Sequence, residues 1–235
     1  MKFIIQKEIF ENFDGLTVGF IIAKNIDNRG QSPEINGLLR SVEKKVTEEF
    51  SGFASPSEHP NIIPWRQAYK KFGSDPHDFR CSSEALVRQV LKGNEIRHIN
   101  KLVDIYNYIS LKYVVTVGGE DIEKTKGDIV LGFALGDEPF TRLGGEENEP
   151  PSAGEVIYKD ELGVLCRRWN WWEADRTKLT EETKNAIIVI EGLPPMGNET
   201  ISPALSEMAE LFKKLCFCEV SIHILNKDNQ EIDIS

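Results

Sequence analysis

Gly93–Tyr113, G-N-E-I-R-H-I-N-K-L-V-D-I-Y-N-Y-I-S-L-K-Y, is the stretch on which the reading of this chain turns. Ile99, Leu102, Val103, Tyr106 and Ile109 recur at the 3.6-residue period of a helix face that packs into a core. Asn100, Asp104 and Asn107 stand at i, i+4 and i+7, so the spacing predicts one helix with a second, narrow stripe of hydrogen-bonding groups. A solvent-facing stripe would favour Lys and Glu, which are better helix formers than Asn and Asp. Two amides and a carboxylate in register therefore point to specific bonding. Its target is either a ligand or a neighbouring loop or cap of the protein itself.

Outward from this helix, the chain separates into a helical half and a strand-rich half. Phe3–Ile5 and Leu16–Ile22 read as strands, and Ser32-Pro33-Glu34 caps a helix running to about Phe50. Trp65–Phe72 and Glu84–Lys92 read as short helices stopped by Gly73 and Gly93. After Val114 come β-type runs at Val114–Val117, Ile129–Ala134, Val156–Tyr158 and Val164–Arg167. Ala186–Ile190 reads as a central strand, Ser202–Leu215 as a helix with Pro203 in its first turn, and Val220–Leu225 as a final antiparallel strand. Partly segregated helices and strands predict an α+β fold with a mixed sheet.

The signature stretch resembles the editing and tRNA-binding domain in the beta chain of bacterial phenylalanyl-tRNA synthetase, where I-R-P-I-N-x-x-V-D-x-x-N-Y is characteristic. Ile96, Arg97, Ile99, Asn100, Val103, Asp104, Asn107 and Tyr108 match it. Leu143-Gly144-Gly145-Glu146 is similar to that domain's L-D-G-x-E hairpin, and Glu155–Asp160 to its L-V-I-A-D segment. Leu179-Thr180-Glu181-Glu182-Thr183 with Ala186-Ile187-Ile188 resembles V-T-E-D-T-x-x-V-L-L-E. The likeness covers roughly Ser82 to Glu191. Neither flank looks large enough to fold alone, so residues 1–235 are expected to form a single domain of this type. The resemblance implies mixed and antiparallel sheets packed with helices. It departs in three places: Tyr106 replaces a Thr, Gly118 falls where a His would stand, and the T-x-A-S-x-R-x-E-R-G segment has no counterpart after Glu191.

Composition narrows the function classes. The chain has 235 residues, of which 40% are hydrophobic, enough for one substantial core or two small ones. No apolar run approaches the roughly 20 residues of a membrane span, and the charged start Met-Lys-Phe-Ile-Ile-Gln-Lys-Glu is unlike a signal peptide; a cytoplasmic protein is expected. Cys216-Phe-Cys218 is one residue short of C-x-x-C, and the histidines show no H-x-x-x-H pair. Cys81, Cys166, Cys216 and Cys218 are therefore read as structural thiols, with no metal and no cofactor expected. A net charge of −10 argues against an open, nonspecific nucleic-acid surface. Pro60–Tyr113 nevertheless holds nine Lys or Arg against five Asp or Glu, while Val114–Leu165 holds four against twelve. Such polarity leaves room for one basic face, or reflects ordinary loop solvation.

No G-x-S-x-G, Cys–His context, Walker loop or G-x-G-x-x-G is present, and no catalytic residue is assigned. Gly118-Gly119 and Gly144-Gly145 read as turn glycines. In Arg168-Trp169-Asn170-Trp171-Trp172, strand alternation predicts Trp169 and Trp171 on one face and Asn170 and Trp172 on the other, forming either a stacking wall or a core cluster. Arg66 and Arg80 sit beside aromatic residues and are suited to phosphates, or to pairing with Asp75, Asp78 or Glu84.

The resemblance implies a protein that binds aminoacyl-tRNA or its aminoacyl end and extends to hydrolysis of a mischarged ester in trans, a role in translation without amino-acid activation. Asn100, Asp104, Asn107, Trp169, Asn170 and Trp171 would then contact the aminoacyl group, and Arg66, Arg80 and Arg97 the tRNA. The alternative is a module without catalysis that binds tRNA, a free amino acid, a modified nucleotide or a protein partner; a third is a purely structural subunit with the polar stripe occupied by internal contacts.

Overall fold

The computed structural model describes residues 1–234. Ten strands run in chain order: β1 (Lys2–Ile5), β2 (Thr17–Lys24), β3 (Thr116–Asp121), β4 (Ile129–Phe133), β5 (Val156–Asp160), β6 (Gly163–Arg167), β7 (Trp172–Glu173), β8 (Ala186–Gly192), β9 (Glu219–Leu225) and β10 (Glu231–Asp233). The helices are α1 (Lys7–Asn12), α2 (Pro33–Phe50), α3 (Ile63–Lys71), α4 (Ser82–Leu91), α5 (Lys101–Tyr113) and α6 (Asn198–Cys216). The fold is α+β, with one mixed and one antiparallel sheet packed with helices.

β3-β8-β2-β9 form a four-stranded antiparallel sheet, and β10-β1-β4-β5-β6-β7 a six-stranded sheet whose β1–β4 pair is parallel. Strand alternation gives the four-stranded sheet two apolar faces. Ile188 and Ile190 of β8, with Ile21 of β2, join a core with Leu39, Leu102, Ile109 and Met208 from α2, α5 and α6. Ile187 and Val189 of β8, with Phe20 of β2, join Phe3, Leu131 and Leu165 of the six-stranded sheet. The layers are therefore helices, four-stranded sheet and six-stranded sheet.

The signature helix begins later than its periodicity predicts. Residues 94–100 are not helical; Asn100 is the N-cap of α5, its Oδ1 accepting from Val103 N at 3.1 Å. Ile99 consequently lies outside the apolar stripe and is 58% exposed, while Leu102, Ile105 and Ile109 are buried. α6 also starts earlier than expected, at Asn198, which puts Pro203 inside the helix. Gly118 and Gly119 lie within β3 rather than in a turn. A Cβ at Gly118 would stand 3.0 Å from Glu173 Oε1, and one at Gly119 would meet Ile188 Cδ1 at 2.4 Å, so neighbouring side chains come close at both glycines. Gly144, with φ +72°, does sit in a turn. Among the described residues no helix is long and apolar enough to cross a membrane.

Candidate functional site

A cavity of about 230 Å³ lies between the two sheets at the β3 edge, where α4 and α5 cross it. The β3–β8 register, Gly118 opposite Val189 and Glu120 opposite Ile187, puts Gly118 and Glu120 on the sheet face turned toward the six-stranded sheet. From that opposite sheet come Tyr158, Cys166 and Glu173, and from the helices Ser82, Tyr106 and Asn107.

The turn Arg168–Trp171 supplies the aromatic wall, but not by strand alternation. Arg168 and Trp169 have φ of 45° and 68°, the left-handed region, so the chain winds tightly between β6 and β7. Glu155 holds this turn: Arg167 donates to it through Nε and Nη2, both at 2.9 Å, and Arg168 N–H donates at 3.1 Å. Trp169, Asn170 and Trp171 all border the cavity as a result. Trp169 packs edge-on against Trp65, whereas Trp171 stacks on Trp172 with centroids 4.5 Å apart.

Three carboxyls face this space. Glu191 is saturated with donors: Tyr158 OH at 2.5 Å, Trp169 Nε1 at 2.6 Å, Asn170 Nδ2 at 2.7 Å and Thr116 Oγ1 at 3.2 Å. Burial pushes its carboxyl up, while those donors favour the charged form. Glu120 and Glu173 lie in hydrogen-bonding reach of each other, and Oε2 of each receives no donor among the described residues. Burial raises Glu173 to about 7, against the pull of its bond to Glu120; burial and then the charge of Glu173 raise Glu120 well above the carboxylate range. Two carboxyls so placed titrate as a pair rather than singly.

The remaining polar groups are less engaged. Asn107, 7% exposed, makes no side-chain hydrogen bond among the described residues, and Ser82 Oγ is buried without a partner. Burial lifts the Cys166 thiol well above its ordinary value, as do the charges of Glu173, Glu120 and Glu191, so the thiol stays protonated and unsuited to attack. Among the described residues no Lys, Arg or His lines the cavity, and no three His, Cys, Asp or Glu side chains are grouped as metal ligands.

The residues singled out in the sequence separate into two sets. Asn107, Trp169, Asn170 and Trp171 come together at the cavity. Asn170 is bonded on both sides, to Glu191 and by Tyr69 OH at 3.0 Å. Asn100 and Asp104 are engaged inside the protein. Asn100 Nδ2 donates to Leu179 O at 3.1 Å; Asp104 accepts from Ile99 N–H at 3.0 Å and lies 2.5 Å from His98 Nδ1. Asn100 borders an adjoining hollow that shares Tyr106, Gly119 and Glu173 with the cavity, whereas Asp104 and Arg97 border a separate one. Arg66 is fixed between Pro76 O and the buried Glu84. Arg80 lies 4.0 Å from Glu84 and opens on a groove with Arg88, Lys92, Trp171 and Trp172, next to the cavity.

Glu120, Glu173, Glu191 and Ser82 escaped the sequence reading. One signal was available: Glu191 follows directly on the apolar run Ala186–Ile190, where a carboxylate must find donors or stay protonated.

A cavity with apolar walls and a few convergent polar groups has the form that small-ligand sites take. The B3/4 domain family matches this chain over residues 64–217, and the chain belongs to that family, the domain type of the phenylalanyl-tRNA synthetase beta subunit. An N-terminal fragment of the phenylalanyl-tRNA synthetase beta subunit from Pyrococcus horikoshii is similar at 13% identity with a TM-score of 0.48, the match covering 93% of this chain. The chain spans about half of that fragment, 49% of it being covered. No curated protein matches the sequence.

Proposed function

We propose that this protein binds the aminoacyl end of a tRNA in the cavity between its sheets, and that a mischarged ester is hydrolysed there in trans. The carrying observation is Asn107: a nearly buried amide without a side-chain hydrogen bond among the described residues, on the wall of a cavity that also carries apolar and aromatic side chains and three carboxyls. Asn107 borders the cavity, where its Nδ2 can donate to a ligand carbonyl. Membership of the B3/4 family supports the choice of an aminoacyl ester over other carbonyl ligands. Tyr106, Trp169 and Trp171 would wall the amino-acid side chain. Arg80, with Arg88 and Lys92 along the adjoining groove, would meet the tRNA backbone.

Hydrolysis on this reading is direct attack by water. No histidine lines the cavity and the Cys166 thiol is held protonated, so no side chain is prepared as a nucleophile. Asn107 Nδ2 and the Ser82 hydroxyl are the donors available to a developing oxyanion. Residues 1–235 act as one domain in this proposal: β1, at the start of the chain, pairs with both β10 and β4. We place the activity in the cytoplasm, where aminoacyl-tRNA is found.

The test is deacylation across a panel of mischarged tRNAs. Turnover of at least one is expected, with Asn107→Ala removing it; no turnover on any member rejects the enzymatic reading. The same lack of a nucleophile, with the net charge of −10, favours a second reading, an aminoacyl binder without turnover. Thermal stabilisation by aminoacyl-tRNA with no deacylation would select it.

A further inference from the structure

We infer that the facing carboxyls of Glu120 and Glu173 are the seat of a ligand's primary ammonium group, so that the cavity takes amino acids and aminoacyl esters through a free α-amino group. This deepens the proposed function and rests on its claim that the cavity holds an aminoacyl ligand.

Three observations carry it. First, Glu120 Oε2 and Glu173 Oε2 receive no protein donor, so only a shared proton or an external donor can bridge the two groups. Second, the cavity wall is charge-unbalanced: it has three glutamates and no basic side chain. The Arg176 guanidinium, which acts on Glu120, is already bound to Asp160 at 2.7 and 3.0 Å; Lys178, in the adjoining hollow, is bound to Asp175 at 2.8 Å. Third, the unpartnered Asn107 amide lines the same space, so a carbonyl and an ammonium can be met in one ligand.

The chemistry is selective. Glu191, with four donors, has little left to offer an incoming group, whereas the Glu120–Glu173 pair has open acceptor positions. An ammonium carries three N–H donors and a full charge, and can replace the shared proton, which leaves to solvent. The surrounding wall, Leu86, Val117, Ile129, Trp169 and Val189 among it, suits an apolar or aromatic side chain on the same ligand.

The experiment compares phenylalaninamide with 3-phenylpropanamide, which lacks only the amine, by calorimetry on the full chain. Leucinamide and 4-methylpentanamide form a second pair. Loss of the amine is expected to weaken binding at least about tenfold, with protons released on binding of the amine, read from the heats in buffers of different ionisation enthalpy. Glu173→Gln should lose most of the difference between pair members. Should that variant not fold, the wild-type comparison alone decides. Equal binding within both pairs overturns the ammonium assignment and leaves the cavity reading intact; no binding of any member overturns both. Competition by Mg²⁺ or Ca²⁺ alone at millimolar concentration would make the pair a cation site of another kind and also overturns it. Amine-dependent binding of the amides, with no binding of aminoacyl-tRNA, would uphold the ammonium seat and reject the tRNA.

Discussion

Trp169 Nε1 donates to Glu191 Oε1 at 2.6 Å, joining the β6–β7 turn to the end of β8 and so one sheet to the other. The bond sits among donors from Tyr158, Asn170 and Thr116, which makes Glu191 the link that holds the cavity floor. Glu191→Ala strands those donors in a buried site and is expected to cost about 3 kcal/mol or more. Trp169→Phe keeps most of the ring and removes one donor, for about 1–3 kcal/mol. Urea unfolding checks both; a smaller loss for Glu191→Ala than for Trp169→Phe would contradict the link.

Asn100 and Asn107 are seven residues apart and separate stability from function. Asn100→Ala removes the α5 cap and the bond to Leu179 O, and should cost about 1–2 kcal/mol with ligand affinity unchanged in the folded protein. Asn107→Ala should leave the unfolding midpoint within about 0.5 kcal/mol of wild type and abolish aminoacyl binding. Paired unfolding and binding measurements test this, and the reverse pattern would refute it.

The Glu120–Glu173 pair makes stability depend on pH in an unusual direction. Glu173 stands at about 7 against an ordinary 4.5, raised by burial and the charge of Glu191, and Glu120 is raised as well. Glu191, Tyr106, Cys166, Thr177 and Arg176 are the other groups acting on the pair, and none is a free cation. Between pH 4.5 and 7 the folded protein holds more protons than the unfolded chain, so stability falls as pH rises through this window. The expected loss is about 1–3 kcal/mol, measured from urea midpoints, and Glu173→Gln should flatten it. A wild-type stability that climbs over this range would contradict the raised titration of the pair.

Of the three arginines near Glu84, Arg66 and Arg80 should behave differently. Arg66→Ala leaves the buried Glu84 with Arg88 as its close partner and is expected to cost about 1–3 kcal/mol of stability. Arg80→Ala and Lys92→Ala, on the groove, should instead lower tRNA affinity and reduce its salt slope by about 1 each, with little effect on unfolding. Filter binding over a salt series distinguishes them, and an unchanged slope for both groove variants would remove the groove from the tRNA path.

Local signals explain what the sequence made legible. The Ser32-Pro33 cap, the apolar run Ala186–Ile190 and the alternation in Val220–Leu225 each announce an element without tertiary help, and each element is present. The periodicity of Gly93–Tyr113 found α5 but not its start, because Asn100 side-chain capping and helix continuation share one residue pattern. The tryptophan segment alternates like a strand yet forms a left-handed turn, because that turn depends on Glu155, thirteen residues from Arg168 and bonded to it only in the fold. Asn107 was legible as an amide needing a partner. Glu120 and Glu173 were not, since two isolated acids become a pair only when β3 and β7 face each other.

The capping role of Asn100, with Asp104 gripping the segment before α5, bears on how such chains are sorted. Half of the motif, Ile99, Asn100, Val103 and Asp104, sets where the helix begins. Searches keyed to it will gather chains that share a scaffold while remaining blind to what each one holds. On the proposed function, positions 107, 120 and 173 are where neighbours with different cargoes would be told apart.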